Sequence, residues 1–338
     1  MARRKARIPQ GKKLQPAVKT LQFTVPLGTN YVDISQCASL VNRRFYRQGL
    51  NWAVAGFSFF TAADAAGSIG IAKVPDTWIA SNAWEKSFRH WQKMNNETLE
   101  ETESVRPKFL DFKVYMDSAH AAVGSAANLL PLDTQNPAQQ YGAGEWEYST
   151  IHVPYAVDTS AAGVDTMREF DMIWTGASFP GAGASGFDSV SLIEGYAASR
   201  GLPDVLDPNA PADAADTVGT NPENWLTAMF NEGTTQSHEV IEDMLTENNI
   251  APYPFENDGT HTDTQYPGGA NQAPGPQPHM VALVSPTTIG GRTNIEGGNF
   301  QGGLVKITNN TGDATMTLFL HLVPGPHRGY MCQSMQDV

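Results

Sequence analysis

From Leu21 onward, short segments rich in β-branched and aromatic residues alternate with segments rich in glycine, proline, asparagine and aspartate. This recurrence is typical of a β-sandwich or β-barrel, because strands and turns favour these two sets of residues respectively. The clearest strand is TMTLFLHL, in which every second residue is apolar. The predicted strands are Leu21–Val25, Asn51–Thr61, Ser68–Val74, Lys108–Met116, Glu145–Val157, Met167–Thr175, His279–Ser285, Gly303–Thr308 and Thr315–Leu322.

Helices are fewer, and the strongest pattern covers Asn82–Glu101. Apolar residues spaced as on one helix face indicate packing against one end of the sandwich, and Asn82 with Glu85 suits a capping box at the start. Further helices are predicted at Asp188–Arg200, Asn224–Phe230 and His238–Asn248.

The strand pattern, with 31 glycines and 22 prolines for turns and loops, predicts an all-β fold, and about eight main strands suffice for a single jelly roll. Residues 1–19 are expected to form a flexible arm, since they contain too few apolar residues to fold alone. Residues 20–338 form the predicted jelly-roll domain. It carries a long insertion of loops and helices at about 201–278.

The formal charge of −13 conceals an uneven distribution along the chain. Residues 1–19 contain no acidic residue, so the rest of the chain carries −20, which is −13 less the seven positive charges of the arm. Between Arg200 and Arg292 there are 13 acidic residues and no lysine or arginine. Such a stretch repels polyanions and indicates a solvated surface, or the outer face of an assembly. The basic residues of the arm are Arg3, Arg4, Lys5, Arg7, Lys12, Lys13 and Lys19.

A flexible cationic segment can follow a phosphate backbone without demanding a base sequence, so the arm predicts binding to nucleic acid. A nuclear localisation signal explains the same charges and is compatible with that role. Beyond the arm, Arg43, Arg44 and Arg47 surround Phe45 and Tyr46. This group suits a phosphate clamp beside a stacking ring, and it equally suits salt bridges between subunits.

Motifs for catalysis are missing from the sequence. There is no G-x-x-x-x-G-K-[ST] loop, no G-x-S-x-G elbow and no H-x-H pair. We therefore predict no enzyme activity, no metal and no cofactor. The weaker metal candidates are scattered along the chain: calcium at Asn257–Gly259, and the groups His261 with Asp263, His279, His321 and His327.

The cysteines and the lengths of the apolar runs further limit the possible classes of protein. Cys37 and Cys332 lie far apart and outside any metal-binding spacing, so free thiols are expected. No apolar run approaches the roughly 20 residues that span a bilayer, so no membrane partner is expected.

Several segments carry a resemblance to a known family. They include YVDISQCASLVNRRFYRQG at 31–49, SNAWEKSFRHW at 81–91, FLDFKVYMDS at 109–118 and HLVPGPHRGYMCQSM at 321–335. With the basic start, they resemble capsid proteins of circular, replicase-encoding single-stranded DNA viruses, particularly those from aquatic environments. The resemblance spans nearly the whole chain and implies no catalytic residue.

What this resemblance implies is a jelly roll that assembles, with 60 copies expected, into an icosahedral shell around single-stranded DNA. The arm would face inward, the long loops outward, and the protein would reside in the virion, with the host nucleus as an assembly site. The arm is shorter than those of well-known circovirus coats. Sixty arms carry about 420 charges against roughly 2,000 phosphates, so we expect that other cations, Arg43, Arg44 and Arg47, or a larger shell make up the difference.

Contacts between subunits are expected to use large aromatic residues, since interface hot spots favour tryptophan. The candidates are Trp78, Trp84, Trp91 and Trp225, each of which is also suited to a hydrophobic core. The main rival function is a jelly-roll carbohydrate-binding protein, which leaves the basic arm unexplained. A jelly-roll glycosidase or metal-dependent oxygenase is the second rival, and it requires paired carboxylates or converging histidines in a concave site.

Overall fold

The computed structural model describes residues 16–100, 102, 104, 111–133, 136, 138–155, 166–178, 189–200 and 275–337. The strands in these ranges are β1 (Thr20–Pro26), β2 (Gly28–Asp33), β3 (Leu50–Phe60), β4 (Gly67–Lys73), β5 (Thr150–Tyr155), β6 (Thr166–Ile173), β7 (Ser189–Ser191), β8 (Gln277–Val284), β9 (Arg292–Phe300), β10 (Leu304–Asn310), β11 (Thr315–Leu322), β12 (Pro324–Gly325), β13 (Gly329–Tyr330) and β14 (Cys332–Ser334). The α-helices are α1 (Ile34–Asn42), α2 (Trp78–Leu99), α3 (Ser118–Val123) and α4 (Leu192–Arg200).

Two antiparallel sheets form the body of the described chain. In one, β3 pairs with β11 on one edge and with β9 on the other, and β11 pairs in turn with β1. In the other, the order is β2, β10, β4 and β8. β14 adds a short pairing beside β11 at the start of β3. This mainly β, antiparallel architecture confirms the predicted all-β class.

The two sheets enclose one hydrophobic core, to which both contribute. In β11 every second side chain is buried, which is the periodicity of a strand with one face toward a core. Antiparallel register places Phe23 of β1 opposite Leu318, and Phe57 of β3 opposite Leu320. All four are fully buried, and each such side chain stabilises the fold by roughly 1.5–3 kcal/mol.

A second layer is inserted between β4 and β8. Here β5, β6 and β7 form a separate sheet, with β6 and β7 parallel, and α2 packs against α4 beside it. A second hydrophobic cluster joins α2 to this sheet through Trp84, Phe112, Phe170 and Trp174. The same cluster includes Leu304 of the sandwich, so the layer is packed onto the body.

Several strand predictions need correction. Glu145–Val157 and Met167–Thr175 do contain strands, β5 and β6, but these belong to the inserted sheet and not to the sandwich. Lys108–Met116 is not a strand in its described part, where only Tyr115 forms a single bridge, to Ile173. In their place the sandwich uses β2 and β9, which were not predicted because both are rich in glycine and polar residues.

The helix predictions were partly right. α2 begins at Trp78, four residues before Asn82, so the predicted capping box is wrong. Its N-terminal flanking residue is Thr77, whose side chain caps no amide. The segment Asp188–Arg200 contains β7 followed by α4. The helices predicted at 224–230 and 238–248 lie outside the described residues, as does nearly all of the acidic insertion.

The buried carboxylate of Asp33 ties the sandwich to the inserted layer. Its Oδ1 accepts hydrogen bonds from the backbone amides of Ser35 and Gln36, which caps α1. Its Oδ2 accepts three more, from Gln48 Nε2 at 3.2 Å, Trp146 Nε1 at 3.2 Å and Tyr148 Oη at 3.1 Å. Complete burial raises the pKa of Asp33 to about 6, and these donors oppose that rise.

His120 lies in the same buried contact region, which we call the polar junction. Its Nδ1 accepts from the backbone amide of Met116 at 3.1 Å. Asn128 donates through Nδ2 to Gln36 and Tyr148, so its Oδ1 accepts, at 2.7 Å, from Nε2 of His120. This pattern requires a neutral ring. Burial lowers the pKa of His120 to about 4, in agreement with the hydrogen bonds.

The stability of the polar junction is expected to depend on an acceptor at Oδ2 of Asp33. Asp33→Asn keeps the acceptor that caps α1 but turns an amide NH₂ toward the N–H groups of Gln48 and Trp146. The Tyr148 hydroxyl can rotate and accept from this amide, but the N–H groups of Gln48 and Trp146 lose their acceptor. The free energy of unfolding should therefore fall by about 3 kcal/mol. Urea denaturation at pH 7 measures this. Asp64→Asn, at an exposed position, is the control and should change little; an equal effect of both substitutions contradicts this assignment.

The neutral ring of His120 predicts a dependence of stability on pH. An unfolded histidine titrates near 6.5, and His120 in the folded chain near 4. The neutral ring of His120 therefore contributes its full stabilisation of the folded chain above pH 6.5, and this stabilisation is lost as the pH falls toward 4. When the pH falls from 7 to 5, the free energy of unfolding should decrease by about 2 kcal/mol more in the native chain than in the His120→Gln variant. Denaturation at both pH values checks this. The exposed His152→Gln should behave like the native chain, and an unchanged pH response in His120→Gln contradicts the account.

Candidate nucleic-acid interface

The loop that follows α1 presents the arginines predicted from the sequence. α1 is capped at its C-terminus by Arg43, which adopts a left-handed backbone conformation with φ of 52°. The backbone amide of Tyr46 donates to Ser39 Oγ at 2.9 Å, and the Tyr46 ring is buried. Tyr46 thus anchors the loop from inside, while Arg43 and Arg47 are exposed.

A second loop, from the C-terminal part of the chain, forms hydrogen bonds with the first. Arg328 donates through Nη1 to the backbone carbonyl of Phe45 at 2.6 Å, and Tyr46 Oη donates to the carbonyl of Arg328 at 3.0 Å. Arg328 has a φ of 49°. Among the described residues, Arg43 and Arg328 are the two non-glycine residues with positive φ. Such conformations cost energy and concentrate at functional sites, which singles out this surface.

The basic arm joins the body at the same place. Arg44 donates through Nη1 to the carbonyl of Pro16 at 3.1 Å. Two residues later, the amide of Val18 donates to Asn42 Oδ1 at 3.0 Å, and its carbonyl accepts from Tyr330 Oη. The chain therefore reaches β1 alongside the loop that carries Arg43, Arg44 and Arg47, which we call the arginine loop, and Pro16 lies against this loop.

The structure describes one of the seven predicted arm cations, Lys19. Lys19 lies over the ring of Tyr330, 4.6 Å from its centroid, and donates to the carbonyl of Gly329. Burial lowers the pKa of Lys19. It thus contacts its own chain at the root of the arm. The remaining six lie outside the described residues: Arg3, Arg4, Lys5, Arg7, Lys12 and Lys13.

Two cavities flank Phe45. The larger, about 490 Å³, is lined by Arg47 and Arg328 together with aromatic rings and Asp111. The smaller, about 250 Å³, is lined by Arg43 and Arg44 and also includes Glu145. Phe45 borders both. We call the group Arg43, Arg44, Arg47 and Arg328 the basic surface.

The basic surface has the chemistry of an anion site. Its four arginines line the two cavities that the half-buried Phe45 borders, an arrangement that suits phosphate oxygens and an adjacent stacked base. In the described part of the chain, neither Arg43 nor Arg47 forms an ion pair. Sequence analysis had identified three of these arginines and missed Arg328, which is distant along the chain and reaches the group only through folding.

The tryptophans proposed for subunit contacts lie in different environments. Trp84 is 4% exposed and packs against Phe88 and Phe112, so it has little surface left for a partner. Trp78 and Trp91 are half-buried on α2. Trp225 lies outside the described residues. Whether any of them contacts another copy stays a prediction.

Other candidate chemistry does not converge where the chain is described. These residues contain no group of three histidine, cysteine or acidic side chains placed to hold a metal ion. Cys37 and Cys332 are free thiols, as expected; Cys37 is buried and Cys332 half-buried. None of the described helices combines the length and apolar character needed to cross a bilayer. His261, Asp263 and the Asn257–Gly259 segment lie outside the described residues.

Comparison with known proteins adds no relative: no family model, no curated protein and no solved structure matches this chain.

Proposed function

We propose that this chain is a viral coat protein with a jelly-roll body, which assembles into a closed shell and packages single-stranded DNA. The observation that carries the proposal is the contact of Pro16, near the end of the basic N-terminal segment, with the arginines of the basic surface on an antiparallel β body. Arg44 bound to the carbonyl of Pro16 marks the meeting point. The resemblance of the sequence to capsid proteins of circular single-stranded DNA viruses points the same way.

The order of strand pairing supports a jelly roll. Eight strands of the body pair as a long rolled hairpin, in which the first four meet the last four in reverse order: β1 with β11, β2 with β10, β3 with β9, and β4 with β8. A jelly roll has eight strands in two antiparallel sheets and two Greek keys, and it is a common fold of viral capsids. Lectins and cupins use the same fold, so the function must be argued from the site.

Self-assembly is supported by exposed apolar residues at an open sheet edge. Within the described residues, β8 pairs only with β4. On its outer face Val281 is 63% exposed and Leu283 is 84% exposed, and Ile289 beyond its end is 94% exposed. Grouped apolar side chains on an unpaired edge favour contacts between chains. A coat protein supplies such contacts through other copies of itself.

The charge distribution supports packaging of a polyanion. The arm contains seven cations and no acidic residue, and the basic surface adds four arginines, while the remainder of the chain is strongly acidic. A shell with the basic side inward attracts DNA to its interior. The four arginines of the basic surface raise the cations available to each copy beyond the seven of the arm, which reduces the charge shortfall of the arm.

The test compares the full chain with a variant that lacks residues 1–15 and therefore six arm cations. The full chain should form uniform spherical particles that retain nuclease-resistant DNA, whereas the shortened chain should form particles that retain little. Electron microscopy and a nuclease-protection assay measure the two properties. A full chain that stays monomeric at every salt concentration and pH tested contradicts the proposal and favours a carbohydrate-binding protein.

Salt dependence makes the same test quantitative. On single strands each neutralised phosphate contributes about 0.7 to the log–log slope of affinity against salt. Loss of residues 1–15 should therefore reduce the slope by about 4, and the double substitution Arg43→Gln, Arg47→Gln by about 1. Arg89→Gln, which removes an exposed arginine paired with Glu85 on α2, is the matched control and should leave the slope unchanged. A slope near zero for the full chain contradicts packaging by these charges.

A further inference from the structure

One edge of the β body carries apolar side chains that the described part of the chain leaves uncovered. β8 is the edge strand of its sheet, and among the described strands it pairs with β4 alone. Val281 and Leu283 point outward from β8 and are 63% and 84% exposed. Their cross-strand neighbours on β4 are Gly70 and Ser68, which are too small to shield them. The apolar surface of both side chains is therefore open toward the free edge.

The other sheet edges of the body are polar on their outer face or are covered. β1 carries Gln22 and Thr24 on its outer face. β9 carries Arg292 and Glu296. β2 is covered in part by the inserted layer, because Tyr31 on this strand is buried in the hydrophobic cluster of that layer. β8 thus differs from the three other edges in the apolar character of its outer face.

β8 also lacks the features that keep edge strands from pairing with other chains. Natural edge strands are protected by charged side chains, prolines and bulges. The sequence from Gly275 to Gly291 contains no aspartate, glutamate, lysine or arginine. Pro278 and the register shift beside it interrupt only the N-terminal end of the strand. Residues 280–284 are therefore left without such protection.

The lack of charge on this edge indicates which partner it accepts. The chain carries a formal charge of −13, so most contacts between two copies bring like charges together. The uncharged edge of β8 avoids that repulsion when it meets its own copy. It also offers no charged group that would recognise a polyanion or a basic protein. A second copy of this chain is therefore the occupant that suits the edge best.

Antiparallel pairing of two β8 strands about a two-fold axis gives a self-complementary register. With Ala282 opposite Ala282 of the second copy, Val281 of each copy lies opposite Leu283 of the other. Side chains opposite each other in an antiparallel pair have Cβ atoms about 4.5–5.5 Å apart, so each exposed side chain gains an apolar neighbour. A shift of two residues in either direction would place one of the two opposite His279 or Ser285 instead. The register centred on Ala282 is therefore the one that covers both apolar side chains.

We propose that β8 pairs with β8 of a second copy about a two-fold axis, which joins two four-stranded sheets into one continuous sheet. This inference rests on the proposed coat function and names the contact that joins subunits in pairs. Such an interface uses the same patch on both copies, so it closes after two subunits and leaves their other surfaces for further shell contacts. It includes no residue of the basic surface, which stays available to DNA.

Cross-linking of single cysteines tests the register. Val281→Cys and Leu283→Cys are prepared separately in a Cys332→Ser background, in which the remaining Cys37 is buried. One variant is isotope-labelled, the two are mixed under assembly conditions, and a thiol reagent that spans about 5 Å is added. The mixture should yield about fivefold more dimer than either variant alone, each dimer with one chain of each kind, because identical positions lie about 7–8 Å apart. Thr24→Cys, at an exposed position on the edge strand β1, is the matched control and should form no dimer with either variant.

Assembly of a charged variant gives an independent check. Leu283→Lys places a charge at a position that is 84% exposed, so the fold of the subunit should be unaffected. In the proposed register two such lysines lie about 7–8 Å apart across the axis, and the apolar contact is lost. The yield of particles in electron microscopy should fall about tenfold, whereas Thr24→Lys should assemble like the native chain. Assembly of Leu283→Lys at the native yield overturns the proposal.

The outcomes separate the pairing of β8 from the coat function. Particles that package DNA but give no mixed dimer overturn the pairing and leave the coat function intact. The same holds if either cysteine variant alone cross-links as well as the mixture, because the register is then different. Mixed dimers without any particles support the pairing and contradict the coat function. Absence of both dimers and particles contradicts both proposals.

Discussion

The buried carboxylate of Asp33 is the interaction on which the arrangement of the molecule depends. It lies at the end of β2, caps α1 and accepts from Gln48 at the far end of the arginine loop. Gln48 also bonds to the backbone of Val114, both as donor at 3.0 Å and as acceptor at 2.6 Å. The loop that carries Arg43, Arg44 and Arg47 is therefore fixed at both ends. Its position relative to the inserted layer follows from the hydrogen bonds of Asp33 and Gln48.

A buried carboxylate is costly, and it is tolerated because five donors surround it. Replacing it by an apolar group would leave donors from both layers unsatisfied. The polar junction thus gives the joint between the sandwich and the insertion a single geometry, whereas an apolar contact alone would tolerate sliding. This fixed geometry also sets the shape of the larger cavity, because the cavity is lined by residues from the arginine loop, α2, the segment at Asp111 and the C-terminal part of the chain.

Sequence analysis predicted the strands in which apolar and polar residues alternate strictly. It missed strands whose formation depends on pairing with a partner distant along the chain. β11 and β1 bury alternate side chains and were recognised. β9, with the sequence RTNIEGGNF, is a strand because it pairs along the whole central part of β3, which no local pattern reveals. The arginine cluster was recognisable from its own sequence. The place of Arg328 beside it was not, since Arg328 meets the cluster only through the fold.

The most direct test of the account is a cryo-electron microscopy reconstruction of the assembled particle with its DNA. The account predicts that Arg43, Arg47 and Arg328 line the inner wall, that the chain at Pro16 enters the interior, and that density for nucleic acid contacts this surface. A shell in which the basic surface lies on the outer wall, or is buried between protein subunits without adjacent DNA, would contradict the central claim.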